Sequence, residues 1–115
     1  MKQVELRNEK QFRTYLSENI ENSGVISDCI SRCRRVQKHE GDLAEHYSKD
    51  QGRTLLDKLS YTLEEANQGI HPKHSITITG SKGFRSLYEG TQSLNHAVKR
   101  YFEYISYRQK TGLYN

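Results

Sequence analysis

Through most of its length this chain repeats apolar side chains at the spacing of an α-helix. In residues 8–20, NEKQFRTYLSENI, Phe12, Tyr15, Leu16 and Ile20 share one helical face, and Asn8 stands where an N-cap would accept a backbone N–H. Asn22-Ser23-Gly24 interrupts the pattern. It resumes in GVISDCISRCRRVQKH, where Val25, Ile26, Cys29, Ile30, Cys33 and Val36 form an unbroken stripe. Arg32, Arg34, Arg35 and Lys38 lie off that stripe, and Gly41, free to adopt a positive φ, closes this second helix. A weaker segment, DLAEHYSKD, offers Leu43 and Tyr47 behind an Asp42 cap. In GRTLLDKLSYTLEEA, Leu55, Leu56, Leu59 and Leu63 predict one further helix.

Residues 67–83, NQGIHPKHSITITGSKG, break the helical pattern. They hold the only Pro and three of the eight Gly, with an alternating SITIT in their midst. A long loop with an extended piece, a short strand or a hairpin arm, is expected here. The chain then ends in a long helix from about Tyr88 to Tyr107, with Leu94, Val98, Tyr101, Phe102 and Ile105 inward. His96, Lys99, Arg100, Glu103 and Arg108 face outward, and Gly90, a poor residue inside a helix, moves the expected start to Thr91. The pattern therefore predicts a mainly all-α fold: a single domain over residues 1–115, four to five helices, with an extended or short β insertion before the C-terminal helix.

Composition narrows the class. A chain of 115 residues supports one core. It is 33% hydrophobic and 28% charged, with eight Tyr, three Phe and no Trp. That is too much packing material for a disordered tail and too little for a multi-layer enzyme. No run is long enough to cross a bilayer, and the start, MKQVELRNEKQF, lacks the apolar stretch of a signal peptide. Two cysteines four residues apart do not make a secreted disulfide framework. A reduced, cytoplasmic protein without a membrane partner is expected.

The net charge is +4. It is unevenly spread: residues 1–60 hold eleven Lys/Arg against ten Asp/Glu, and residues 61–115 hold seven against four. The excess gathers at Arg32–Lys38 and in the last third, a distribution that permits a polyanionic partner.

Three stretches, FRTYLSENIENSGVISDCISRCRRVQKHEGDL, LLDKLSYTLEEANQGIHPKHSITITG and SLNHAVKRYFEYI, together resemble a small helical domain found at the N-terminus of restriction-type endonucleases and other mobile-element proteins. In that group an F..YL helix precedes an I..Y..R.RR.E helix, and an extended link leads to a final S.LR.Y..F helix. The pattern also looks like the core-binding half of tyrosine recombinases, which grips duplex DNA. The chain departs from the first group at Cys29, where an aromatic residue is usual. It departs from the recombinases in that His96 to Arg100 is one residue too long for a His-x-x-Arg box. The resemblance implies the non-catalytic, DNA-gripping part of such a protein.

The candidate chemistry agrees with that implication. Arg32, Arg35 and His39 share one face of the second helix, and Arg34 and Lys38 another. Helix-borne arginines of this kind can hold two rows of phosphates; alternatively they form a solvated face, with Asp28 paired to Arg32. On the last helix His96, Lys99, Arg100 and Arg108 interleave with Tyr101, Tyr104 and Tyr107. That arrangement suits stacking and phosphate contact, or else a core edge. Lys82 and Arg85 extend this patch.

Arg34 to His39 also reads Arg-x-x-x-x-His, the spacing of the helical ribonucleases called HEPN domains, though Arg35 follows where that group favours Asn, Asp or His. Cys29, Cys33, His71 and His74 could supply four metal ligands, but both cysteines lie on the apolar stripe and read better as core thiols. In the loop, His71, Lys73, His74 and Lys82 either reach toward a partner or merely connect. The expectation is a non-catalytic module that binds nucleic acid, duplex DNA before RNA, in a mobile-element or defence setting. It would use Arg32, Arg34, Arg35, Lys38, Lys82, Arg85, His96, Lys99, Arg100 and Arg108, without a metal or cofactor. The rival is a protein-interaction module that docks on a DNA-processing enzyme or self-associates; a HEPN-like ribonuclease comes third.

Overall fold

The structure is a computed structural model that describes residues 5–111, the side chain of Thr111 excepted. Six helices follow one another: α1 (Glu9–Asn19), α2 (Ser23–Glu40), α3 (Leu43–Asp50), α4 (Arg53–Lys58), α5 (Leu63–Asn67) and α6 (Phe84–Thr111). No strand occurs among the described residues, so the fold is all-α as the hydrophobic pattern predicts. No helix among them is long and apolar enough to cross a membrane.

The punctuation is largely set by local chemistry. Asn22 caps α2, its side chain accepting from the N–H groups of Gly24 and Val25 at 2.8 and 3.2 Å. Asp42 caps α3 through Ala44 N–H at 2.9 Å, and Gly41 leaves α2 with φ +94°. Asn8 differs from expectation. It adopts a left-handed φ of 55° and makes no side-chain cap; Glu9 instead accepts from Leu6 N–H at 3.2 Å.

The single helix expected across residues 52–66 is two. α4 stops at Lys58, and Thr62 opens α5 with a capping box. The Thr62 hydroxyl accepts from Glu65 N–H at 3.0 Å, and the Glu65 carboxylate accepts from Thr62 N–H at 2.9 Å. The restart turns Leu63 outward, to 38% exposure, and buries Tyr61 instead. Its hydroxyl donates to the Ile70 carbonyl.

α6 is the spine of the molecule and packs against all five other helices. Leu94, Ala97, Val98, Tyr101, Phe102 and Tyr104 project from it into a core built with Phe12 and Leu16 of α1 and with Ile26, Cys29, Ile30, Cys33 and Val36 of α2. Phe12, fully buried, meets the Tyr101 ring edge-on with centroids 5.1 Å apart. Val25, assigned inward by periodicity, is 41% exposed.

The helix also starts earlier than Gly90 suggests. An ideal Cβ on Gly90 would lie 2.5 Å from Ile78 Cγ2. The glycine is there because the extended segment presses its isoleucine directly onto the helix backbone. After a bend at Lys73–His74, residues 75–79 are neither helical nor paired to a strand among the described residues. His74 and Ile76 are buried and Ile78 half-buried, while Ser75, Thr77 and Thr79 are exposed. The period-two alternation in SITIT thus reports one strand-like segment lying on a helix, neither a hairpin nor a sheet.

Candidate nucleic-acid interface

α2 and α6 lie side by side, with residue numbers rising on one as they fall on the other: Cys29 meets Ala97, and Arg35 shares a hollow with Gly90 and Ser93. Their apolar stripes close the core beneath. The residues flanking those stripes therefore line a furrow above it, and the extended segment adds a wall at one end. Three adjoining hollows mark this furrow, of 160, 250 and 350 Å3. Two fall below, and the third just inside, the roughly 300–1,000 Å3 that encloses a drug-sized ligand. Their continuity describes an open groove.

The first hollow is flanked by Arg32, His96 and Arg100, with Cys29 at its floor. The second holds Arg32 and Arg35 with the hydroxyl-bearing Ser31, Thr79 and Ser93; Ile78 and Leu94 form its apolar base and Asp28 its one carboxylate. The third continues past Thr79 to Ser81, Lys82 and Ser86. Five expected site residues, Arg32, Arg35, Lys82, His96 and Arg100, thus converge on one groove. Lys38 and Lys99 are exposed but line none of the three hollows.

The other three leave the set. Arg34 binds Glu9 with both arms of its guanidinium, Nε donating to Oε1 at 2.7 Å and Nη2 to Oε2. The pair ties α1 to α2, and the same bond holds the Glu9 carboxyl below its usual range. Arg85 pairs with Glu89 one turn on, at 3.2 Å. Arg108 is half-buried with its guanidinium 5.5 Å above the Tyr104 ring. The spacing of these arginines resembled that of the groove cations, and only the position of their acidic and aromatic neighbours separates them.

The expected aromatic contribution is also corrected. Tyr101 and Tyr104 are buried, and burial pushes the Tyr101 hydroxyl well above its ordinary range. Tyr107 is 43% exposed, with its ring against Tyr15 at 5.3 Å. Among the described residues no Tyr or Phe lines the three hollows. Hydroxyls line them in place of aromatics. Ser31, Thr79 and Ser93 escaped the sequence reading because a serine or threonine facing a groove looks like any other polar position.

Among the described residues no group of three or more His, Cys, Asp and Glu side chains could hold a metal ion. Cys29 and Cys33 both point at the Ala97 carbonyl, at 3.9 and 3.2 Å. Burial raises the Cys33 thiol, whereas Cys29 is lowered by its hydrogen bond with Cys33 and then by Arg100 and Arg32. His71 is exposed and rests on Phe84, whereas His74 is buried. For the Arg34/His39 pair, the Arg34 guanidinium is already occupied by Glu9. The Asp28–Arg32 pair permitted by spacing does not form within 4.0 Å, although both residues line the same hollow.

Comparisons with protein-family models, with curated proteins and with solved structures return no match. The functional reading therefore rests on the groove.

Proposed function

We propose that this chain is a non-catalytic nucleic-acid-binding module that holds the backbone of duplex DNA in the α2–α6 groove. The observation that carries the reading is the contrast among arginines. Arg7, Arg34 and Arg85 are each paired with a carboxylate. Arg32 and Arg100, both half-buried, flank the same hollow, and among the described residues neither has a carboxylate within 4.0 Å. Partial burial of a cation without a counter-charge is costly, and an anionic ligand relieves that cost.

Guanidinium and hydroxyl groups side by side suit phosphate oxygens, which position a protein on nucleic acid without reading sequence. That no Tyr or Phe among the described residues lines the hollows favours duplex over single strand, since single-strand binders stack bases on such rings. The resemblance to accessory domains of mobile-element proteins supports the same partner and setting. Two free, buried thiols are compatible with a reducing, cytoplasmic location.

The test is binding to a generic duplex across a salt series. Log affinity should fall linearly with log salt, and changing the groove-lining Arg32, Arg35, Lys82 and Arg100 to Ala should reduce the slope by about 3–4, at about 0.9 per lost phosphate contact. An unchanged slope in that variant would remove the site assignment. Salt-insensitive association with a protein, abolished by changing the exposed Leu63 and Ile70, would favour the docking-module reading instead.

A further inference from the structure

The extended segment that walls the groove has no strand partner, so something else must hold it. His74 does so from its buried position, with 7% exposure. Its Nδ1 accepts the Ile76 N–H at 3.1 Å. The single proton of the neutral ring is therefore on Nε2, which donates to the Thr91 hydroxyl at 2.7 Å. Thr91 is fully buried on α6, one residue beyond the Gly90 that receives Ile78. One imidazole thus ties two points of the segment's start to the helix. The bonding scheme is complete only for the neutral ring. An imidazolium carries two N–H donors, and the second would face the Ile76 N–H head-on, exchanging a hydrogen bond for a repulsion.

Of the groups that act on the ring, one carboxylate alone favours the cation, and it does not outweigh burial. Burial is the largest influence and disfavours the charge; Glu40 of α2 favours it, and Lys58 of α4 and His39 of α2 oppose it. Lys58 also holds the Glu40 carboxylate at 2.9 Å, drawing off the one favourable charge.

We propose that His74 is a pH-sensitive latch: its neutral ring fixes residues 75–79 against α6, and protonation releases them, withdrawing Ile78 and Thr79 from the wall of the groove. The latch stands on its own geometry; its consequence for binding rests on the function proposed above. Burial places the ring's titration below 6.5. Between the lowered native pKa and 6.5 the unfolded chain binds more protons than the native one. The latch's contribution to stability is therefore complete above 6.5 and lost as pH falls through the native pKa.

The experiment follows the full chain, with labelled histidine nitrogens and isoleucine methyls, by NMR from about pH 8 to about pH 5, a range that brackets histidine titration. At high pH His74 should show the Nε2–H tautomer. On acidification the Ile76 amide and the Ile78 methyls should move together with His74 at one midpoint below 6.5. His74→Gln keeps a donor toward Thr91 but does not titrate, so its Ile78 methyls should stay in place throughout. Thr91→Val, which removes the acceptor and keeps the shape, should show the acid-like Ile78 resonances already at high pH.

In parallel, duplex binding by the wild type and by His74→Gln should agree at about pH 8 and differ several-fold, in favour of the variant, at about pH 5.5. Ile78 methyls that stay fixed while His74 titrates would overturn the latch, as would a midpoint at or above the ordinary histidine value. If no chain binds duplex at any pH, the proposed function fails while the NMR result still decides the latch.

Discussion

Gly90→Ala tests whether the extended segment truly rests on α6. In an open helix interior this substitution stabilises by about 1 kcal/mol, because alanine lowers the backbone entropy lost on folding. Here the new Cβ would meet Ile78 Cγ2 at 2.5 Å, Cδ1 at 3.1 Å and Cγ1 at 3.4 Å. Forcing a methyl into such a contact typically costs about 1–3 kcal/mol. The two effects oppose each other, so the single substitution should be neutral to destabilising by about 2 kcal/mol.

The three nearest atoms all lie beyond Cβ of Ile78. In an Ile78→Ala background the clash is therefore gone, and Gly90→Ala should stabilise by its full helix-propensity gain of about 1 kcal/mol. The double-mutant cycle should show a coupling of about 1–3 kcal/mol between positions 12 residues apart in sequence. Urea unfolding followed by far-UV circular dichroism supplies the four free energies. Stabilisation of the wild type by Gly90→Ala, with no coupling to Ile78, would refute both the contact and the groove wall built on it.

Two further substitutions probe the frame around the groove. Arg34→Met should cost about 1–3 kcal/mol by stranding a Glu9 carboxylate whose side chain is only 10% exposed. Because Arg34 lowers the Glu9 pKa below 4.5, the wild type should lose that stability as pH falls below 4.5 and the variant should not, a difference read from acid unfolding curves. The duplex-binding salt slope should be the same in both. Gly52→Ala combines a left-handed φ of 77° with a Cβ that would enter the Phe102 ring; it should destabilise by about 2–4 kcal/mol in urea. Gly83→Ala, at φ 58° with no atom within 4 Å of the new Cβ, should cost only the backbone penalty of about 1 kcal/mol.

Much of the helical framework was legible from residue spacing. The stripes of α1, α2 and α6 name most of the buried residues because a helix must bury its apolar face. The caps at Asn22 and Asp42, and the stop at Gly41, follow from short-range hydrogen bonding and φ preference. Thr62-x-x-Glu65 is equally local, a capping box that divides what leucine spacing joins. The placement of Gly90 misled for the opposite reason. Local propensity argues against a glycine inside a helix, and the contact that requires it comes from Ile78, a residue on another segment.

The candidate site divides along the same line. Sequence alone determined that cations cluster on two helices and that their apolar flanks turn inward, since periodicity fixes which residues share a face. It did not determine which cations are spoken for. Arg34 and Arg32 stand two residues apart on one helix, and only the arrival of α1 puts Glu9 against the first, while among the described residues the second has no carboxylate within 4.0 Å. Likewise, nothing local distinguishes His74 from His71 until Thr91 and Ile76 close around one of them. Charge pairing and burial depend on distances between segments remote in sequence. The tertiary structure alone decides them.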